Sequence, residues 1–289
     1  MDQKIIDLYD DFTHGGINRR QFLDRLSEIA GSSAAALALL PMLQNDYARA
    51  ATIAADDARL AIDMVSYDAG GTKISGYLAR LKSKGKRPAV IVIHENRGRN
   101  PHIEDIARRL ALAGFLTLAP DLLSVAGGTP ADDDQARDLH TKTDKALMLK
   151  AAVAAIPFMK NNPESTGKVG AVGFCYGGGV VNSMAVASPD LSAGVAYYGA
   201  QPPADQVPSI QAPLLLQYAG LDTRIDAGIP AYEAALKANG KRFTIYIYPN
   251  VNHAFNNDTG DRYDKAAAEL AWSRTLAFFN ENLGAPPKA

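Results

Sequence analysis

Cysteine is nearly missing from this chain: it occurs once, as Cys175, in 289 residues. A lone thiol excludes an internal disulfide and any CxxC metal or redox motif, leaving two uses, a small buried hydrophobe or a reagent. Excess charge of one sign is missing too, since 30 lysines and arginines offset 31 aspartates and glutamates. Neither a basic stripe for phosphates nor an acidic tail is present, so nucleic acid is not an expected partner. Internal repeats, low-complexity tracts and histidine or cysteine clusters with metal-ligand spacing are also lacking, and neither a metal nor a cofactor is expected. The uncharged stretch Ile29 to Leu43 falls short of the roughly 20 residues a membrane span needs, which argues against a stable anchor.

What is present begins with an atypical N-terminus. Arg19 and Arg20 precede Phe22, Leu23 and the apolar run, and Ala48 and Ala50 supply an A-x-A-like cleavage site. The order is similar to a twin-arginine export signal and implies contact with an export machinery and a periplasmic location. The alternative is a pair of amphipathic helices retained in the cytoplasm, which the acidic start "MDQKIIDLYDDF" and Glu28 support. Residues 1–58 are therefore read as an N-terminal extension, helical or signal-like, and 59–289 as one domain.

With 47% hydrophobic residues the remaining length can bury a large core. "LAIDMVSYD" and "KISGYLARL" alternate as strands around "AGGT", and "RPAVIVIHE" is apolar throughout, as suits a strand covered on both faces. A helix over "HIEDIARRLALAGF" ends at Gly114 and leads to the strand "FLTLAPD". A polar segment from Leu122 to about Thr143 follows, then a helix "DKALMLKAAVAAIPFMK" and the strand "KVGAVGF". An apolar helix comes next, then the strands "AGVAYYG" and "APLLLQYAG", a helix near "PAYEAALKANG", the strand "RFTIYIYP" and a last helix from Asp264 to Leu283. Strand and helix in turn predict an α/β fold: a mostly parallel central sheet with helices on both faces.

On that frame Cys175 occupies the turn from strand to helix in Gly173-Phe174-Cys175-Tyr176-Gly177, a G-x-C-x-G form of the nucleophile elbow. Such a turn strains the nucleophile's backbone, and glycine two before and two after removes Cβ atoms that would collide. The following helix N-terminus favours a thiolate or an oxyanion. On an elbow fold the partners come later, acid first and histidine second. Asp222 lies in "LDTRID" and His253 in "NVNHAFNND", each just after a strand; Asp226 is the rival acid. Of the other histidines, His14 belongs to the extension, His140 to the polar segment, and His94 and His102 flank the third strand's exit, where they are read as non-ligands.

"GFCYGGG", "GLDTR", "NHAF" and "IHENRG" together resemble the dienelactone hydrolase family of the α/β-hydrolase superfamily, over about residues 62 to 285. The resemblance implies hydrolysis of a lactone or small ester without a cofactor. It makes Cys175 the nucleophile, His253 the base and acid, Asp222 the residue that fixes the histidine tautomer, and Glu95 an acid that modulates the thiol. The chemistry is self-consistent: a thiolate attacks the carbonyl, a thioester forms, and water opens it. The backbone N–H groups of Tyr176 and Asn96 would hold the oxyanion. Where the family places an arginine past the histidine, this chain has Asn256 and Asn257. Arg137 matches the family's other arginine; Arg97 and Arg99 are either substitute anion contacts or solvent-facing loop residues. Tyr176, Tyr197 and Tyr198 either shape the pocket or belong to the core. Two other readings stay open, a redox-responsive thiol and a catalytically silent hydrolase-like binding module. The "GGG" lacks the lysine of a Walker motif.

Overall fold

The computed structural model describes residues 2–43, 46 and 52–286. Among them, eight strands form one sheet: β1 (Leu60–Asp68), β2 (Lys73–Leu81), β3 (Arg87–Ile93), β4 (Leu116–Pro120), β5 (Ser165–Phe174), β6 (Ala193–Tyr197), β7 (Leu214–Ala219) and β8 (Phe243–Tyr248). The helices are α1 (Gln3–Thr13), α2 (Arg19–Ala30), α3 (Ser33–Leu43), α4 (Pro101–Leu112), α5 (Asp133–Lys142), α6 (Lys145–Lys160), α7 (Tyr176–Ala187), α8 (Thr223–Asp226), α9 (Ile229–Ala238) and α10 (Lys265–Leu283). Strand order is β1-β2-β4-β3-β5-β6-β7-β8. Only β2 runs antiparallel to its neighbours; from β4 to β8 every pair is parallel.

The apolar run of β3 shows why both faces need cover. Ala89, Ile91 and Ile93 point into one core with α6, α7 and α9, while Val90 and Val92 point into the other with α4 and α10. Local chemistry sets the helix ends. Asn100 accepts from the Ile103 N–H at 3.1 Å with Pro101 in the first turn of α4, and Gly114 closes that helix at φ 100°. Each strand and helix expected from the pattern is found, with β5 starting earlier, at Ser165. The polar segment is the exception, since residues 133–142 form α5. Its buried face is Ala136, Arg137 and His140, too polar to register as an apolar stripe.

Residues 2–43 fold as three helices around a small core of their own, including Ile5, Leu8, Tyr9, Phe12, Phe22 and Leu26. Phe12 and Phe22 stack at 4.5 Å and 11°, and Asn18 and Gln21 form a capping box at the start of α2. Arg19 and Arg20 sit in the first turn of α2, exposed, with Arg19 paired to Asp134. The apolar run bends by 111° between α2 and α3, and no single described helix is long and apolar enough to cross a membrane. Ala48 and Ala50 lie outside the described residues.

These helices dock on the sheet domain through polar and aromatic contacts. Gln3 Nε2 donates to Asn252 Oδ1 at 2.6 Å, Arg262 pairs with Asp10, and the Arg137 guanidinium lies 4.1 Å from the centre of the Phe12 ring. Phe22 is 1% exposed, so Phe22→Ala is expected to cost this unit about 3 to 5 kcal/mol. Hydrogen exchange should then accelerate across α1 and α2 while the β3 and β5 amides stay protected.

Candidate active site

The turn between β5 and α7 carries Cys175 at φ 56°, ψ −118°, a conformation costly for any residue with a Cβ. Tight packing forces it. A Cβ on Gly173 would fall 2.0 Å from the Gly177 carbonyl oxygen, and one on Gly177 would fall 2.4 Å from the Ile93 carbonyl oxygen. The Cys175 N–H donates to the Tyr197 carbonyl at 3.1 Å, and the Gly178 N–H to the Cys175 carbonyl at 3.0 Å, which fixes the turn from both sides. Cys175 is thereby held at the carboxyl end of the sheet, 8% exposed.

Asp222 and His253 reach the same end from the loops after β7 and β8. His253 Nδ1 and Asp222 Oδ2 are 2.5 Å apart, and both residues are buried. Asp226 makes no such contact; burial and the Asp222 charge push its carboxyl up to about 6. Burial alone would lower the His253 pKa, but the Cys175 charge and the Asp222 hydrogen bond outweigh it and push it up to about 10. His253 Nε2 is turned toward the sulfur side of the site, within 4.8 Å of Cys175 Sγ. The Tyr198 ring lies 4.8 Å from the imidazole, so this tyrosine, 1% exposed and at φ 37°, is both core and cavity wall.

His14, set aside as part of the extension, reaches the centre of the site. Its Nε2 lies 3.2 Å from Cys175 Sγ, and its Nδ1 lies 2.7 Å from the Asp10 carbonyl oxygen at the end of α1. The ring meets that of His253 edge-on at 4.9 Å. Burial and the positive charges of His253 and Arg224 hold its pKa well below the ordinary histidine value, so it is a neutral imidazole. Nothing in the spacing of His14 marks it, because the contact spans 161 positions. Donor atoms of His14, Cys175 and His253 lie within 4.8 Å of one another, a juxtaposition that no spacing along the chain carries.

A cavity of about 280 Å³ opens beside the thiol, walled by Thr13 and His14 of the extension, Asn96, Tyr176, Tyr198 and Arg224. The Asn96 side chain donates to the Thr13 carbonyl at 2.6 Å, which orients the loop after β3. Glu95 is 6% exposed and accepts from Asn257 Nδ2 at 3.0 Å, so the asparagine in the arginine's place supplies a neutral donor to that carboxylate. His94 is structural, its Nδ1 2.6 Å from the Glu95 carbonyl and its Nε2 accepting from the Leu122 N–H at 3.1 Å.

The arginine expectations need correcting. Arg97 is no solvent-facing loop residue: it is 7% exposed, donates to the Tyr9 hydroxyl at 2.9 Å and lies 3.5 Å from Asp133, engaged with the extension and α5. Arg137 covers Phe12 and pairs with Asp134 at 3.1 Å, facing the extension instead of the 280 Å³ cavity. Arg99 pairs with Glu104 at 3.3 Å. The arginine that does line the cavity is Arg224, two residues past Asp222, and sequence reading overlooked it.

An eight-stranded sheet with this order and a cysteine on a strained strand-to-helix turn defines an α/β-hydrolase with a thiol at the nucleophile position. Residues 74–283 match the sequence profile described as the dienelactone hydrolase family. The chain is 33% identical over 252 residues to a protein of Saccharolobus solfataricus named, provisionally, a carboxymethylenebutenolidase, covering 74% of this chain and 96% of that one. Among solved structures it is similar to a dienelactone hydrolase-like promiscuous phosphotriesterase from metagenomic libraries, at TM-score 0.70 and 27% identity over 78% of this chain and 100% of that one. It is also similar to the dienelactone hydrolase of Anabaena variabilis, at TM-score 0.62 and 25% identity over 78% and 99%. The chain belongs to the dienelactone hydrolase family and is a carboxylic ester or lactone hydrolase. A second profile, described as YqhI-like, matches residues 1–31, which span α1 and α2.

The electrostatics predict a spectroscopic outcome. In Cys175→Ala the His253 ring loses the largest of the influences that raise its pKa, so its titration midpoint should fall below that of wild type. Imidazole 15N shifts of the two proteins check this, and identical shifts would contradict it.

Proposed function

We propose that the chain cleaves small carboxylic esters or lactones through a Cys175–His253–Asp222 triad and a thioester intermediate. The observation that carries this reading is the Asp222–His253 pair, 2.5 Å apart, aimed at a cysteine held at positive φ by the elbow. In the first half-reaction the Cys175 sulfur, its proton taken by His253, attacks the carbonyl carbon. The oxyanion lies against the backbone N–H groups of Tyr176 and Asn96. His253 returns the proton to the leaving alkoxide, and the acyl group stays on sulfur. Water then attacks the thioester with His253 as base, and the thiolate leaves. Asp222 keeps the His253 proton on Nδ1 in the neutral state and stabilises the imidazolium. Glu95, held by Asn257, modulates the thiol through the loop it shares with Asn96. Arg224 is the cation placed to meet a substrate carboxylate.

Hydrolysis of p-nitrophenyl acetate, a dienelactone and a simple γ-lactone should disappear in Cys175→Ala. It should fall by about 10²- to 10⁴-fold in Asp222→Asn and stay near wild type in Asp226→Asn. The ranking of the three substrates reads the preference for a carboxylate. Activity that survives without the thiol, or is absent from every protein, would overturn the covalent mechanism in favour of the redox or silent-module reading.

We further propose that the N-terminal helices are retained in the working enzyme, because Thr13 and His14 wall the cavity. Intact mass of the protein purified from its native host should show residues before Ala50. A mature form beginning beyond Ala50 would establish removal, as the twin-arginine reading expects.

A further inference from the structure

Two imidazoles converge on one sulfur, and each has its Nδ1 engaged by an oxygen on the far side of the ring. The Asp10 carbonyl oxygen can only accept, so the His14 proton lies on Nδ1 and the Nε2 lone pair faces Cys175 Sγ. His253 is arranged alike, with Nδ1 against the Asp222 carboxylate and Nε2 on the side of the Cys175 sulfur. A remote ring N–H donated to a carboxylate or backbone carbonyl is the support that metal-bound histidines receive in proteins generally. His253 is 2% exposed, so its Nε2 faces the sulfur from a buried position.

Spacing and donor type fit one class of ion. A tetrahedral zinc with Zn–N near ~2.0 Å and Zn–S near ~2.3 Å spaces nitrogen and sulfur about 3.5 Å apart. His14 Nε2 and Cys175 Sγ stand at 3.2 Å, and all three donors lie within 4.8 Å of one another. Two imidazole nitrogens and a thiolate select soft or borderline cations over magnesium or calcium. The adjoining cavity leaves the fourth position open to solvent.

We propose that His14, Cys175 and His253 form a binding site for a zinc-class divalent cation, which holds the Cys175 sulfur as a metal thiolate and reversibly blocks hydrolysis. The cysteine and His253 share one proton at rest, as thiol with imidazole or thiolate with imidazolium. Cation binding releases that single proton, and His14 contributes its lone pair without giving up any. Only the blocking of turnover rests on Cys175 being the nucleophile; binding of the cation does not.

Cobalt(II) titrated into the chelator-treated full-length protein reports the site without an activity assay. Wild type should develop a near-ultraviolet thiolate-to-cobalt band together with intense visible bands of tetrahedral cobalt. Cys175→Ser should lack the ultraviolet band. His14→Ala and His14→Gln should both weaken cobalt binding by at least about tenfold, the lower end of what losing mere outer-shell support costs. Two His14 variants with unchanged thermal unfolding separate loss of a ligand from undocking of the extension. Unaltered cobalt affinity in both would overturn the site, as would the absence of any thiolate band in wild type. In parallel, zinc should inhibit ester hydrolysis at lower concentration in wild type than in His14→Gln. If the chelated protein hydrolyses nothing yet the cobalt spectrum forms, the catalytic reading fails and the site stands.

Discussion

A single strained residue organises this molecule. Cys175 sits at φ 56°, and the chain can hold it there only because Gly173 and Gly177 bring β5, α7 and the β3 exit into backbone contact. Such closeness goes with well-covered central strands, which β3 and β5 provide by burying apolar residues on both faces. Strain at the turn is thus sustained by the two cores, and what it delivers is a sulfur standing clear of the sheet at its carboxyl end.

Around that sulfur the charges are arranged in depth. Asp222 caps the short α8 through the Ile225 N–H and at the same time holds His253, so a local helix start and a long-range contact share one carboxylate. His253 is pushed toward its protonated form by Cys175 and by the Asp222 carboxylate against the effect of burial, and its neighbour His14 is held low by burial and by the positive His253 ring. Two histidines of opposite character on one sulfur give the site both a proton carrier and a free lone pair.

Much of this was legible in the chain. The strands could be read because period-2 alternation and continuous apolar runs are driven by burial, and the elbow because glycine at fixed offsets has few other uses. Asp222 and His253 followed from their places after β7 and β8. Other features were hidden for physical reasons. Helix α5 buries Arg137 and His140, residues whose hydropathy conceals a buried face. Arg137 faces Phe12, and Arg97, which lines a small cavity with Cys175 and His253, donates to Tyr9; both partners belong to the extension, a docking surface that no local pattern encodes. His14 was unreadable for the same reason, since tertiary contact alone gives it meaning.

Arg262 is shared: it pairs with Asp10 on α1, faces the Tyr9 ring, and lies in the field of Glu95 beneath the thiol. A cation divided between two carboxylates makes each a competitor of the other. The seating of the first helix and the electrical surroundings of Glu95 are therefore tied together through one guanidinium.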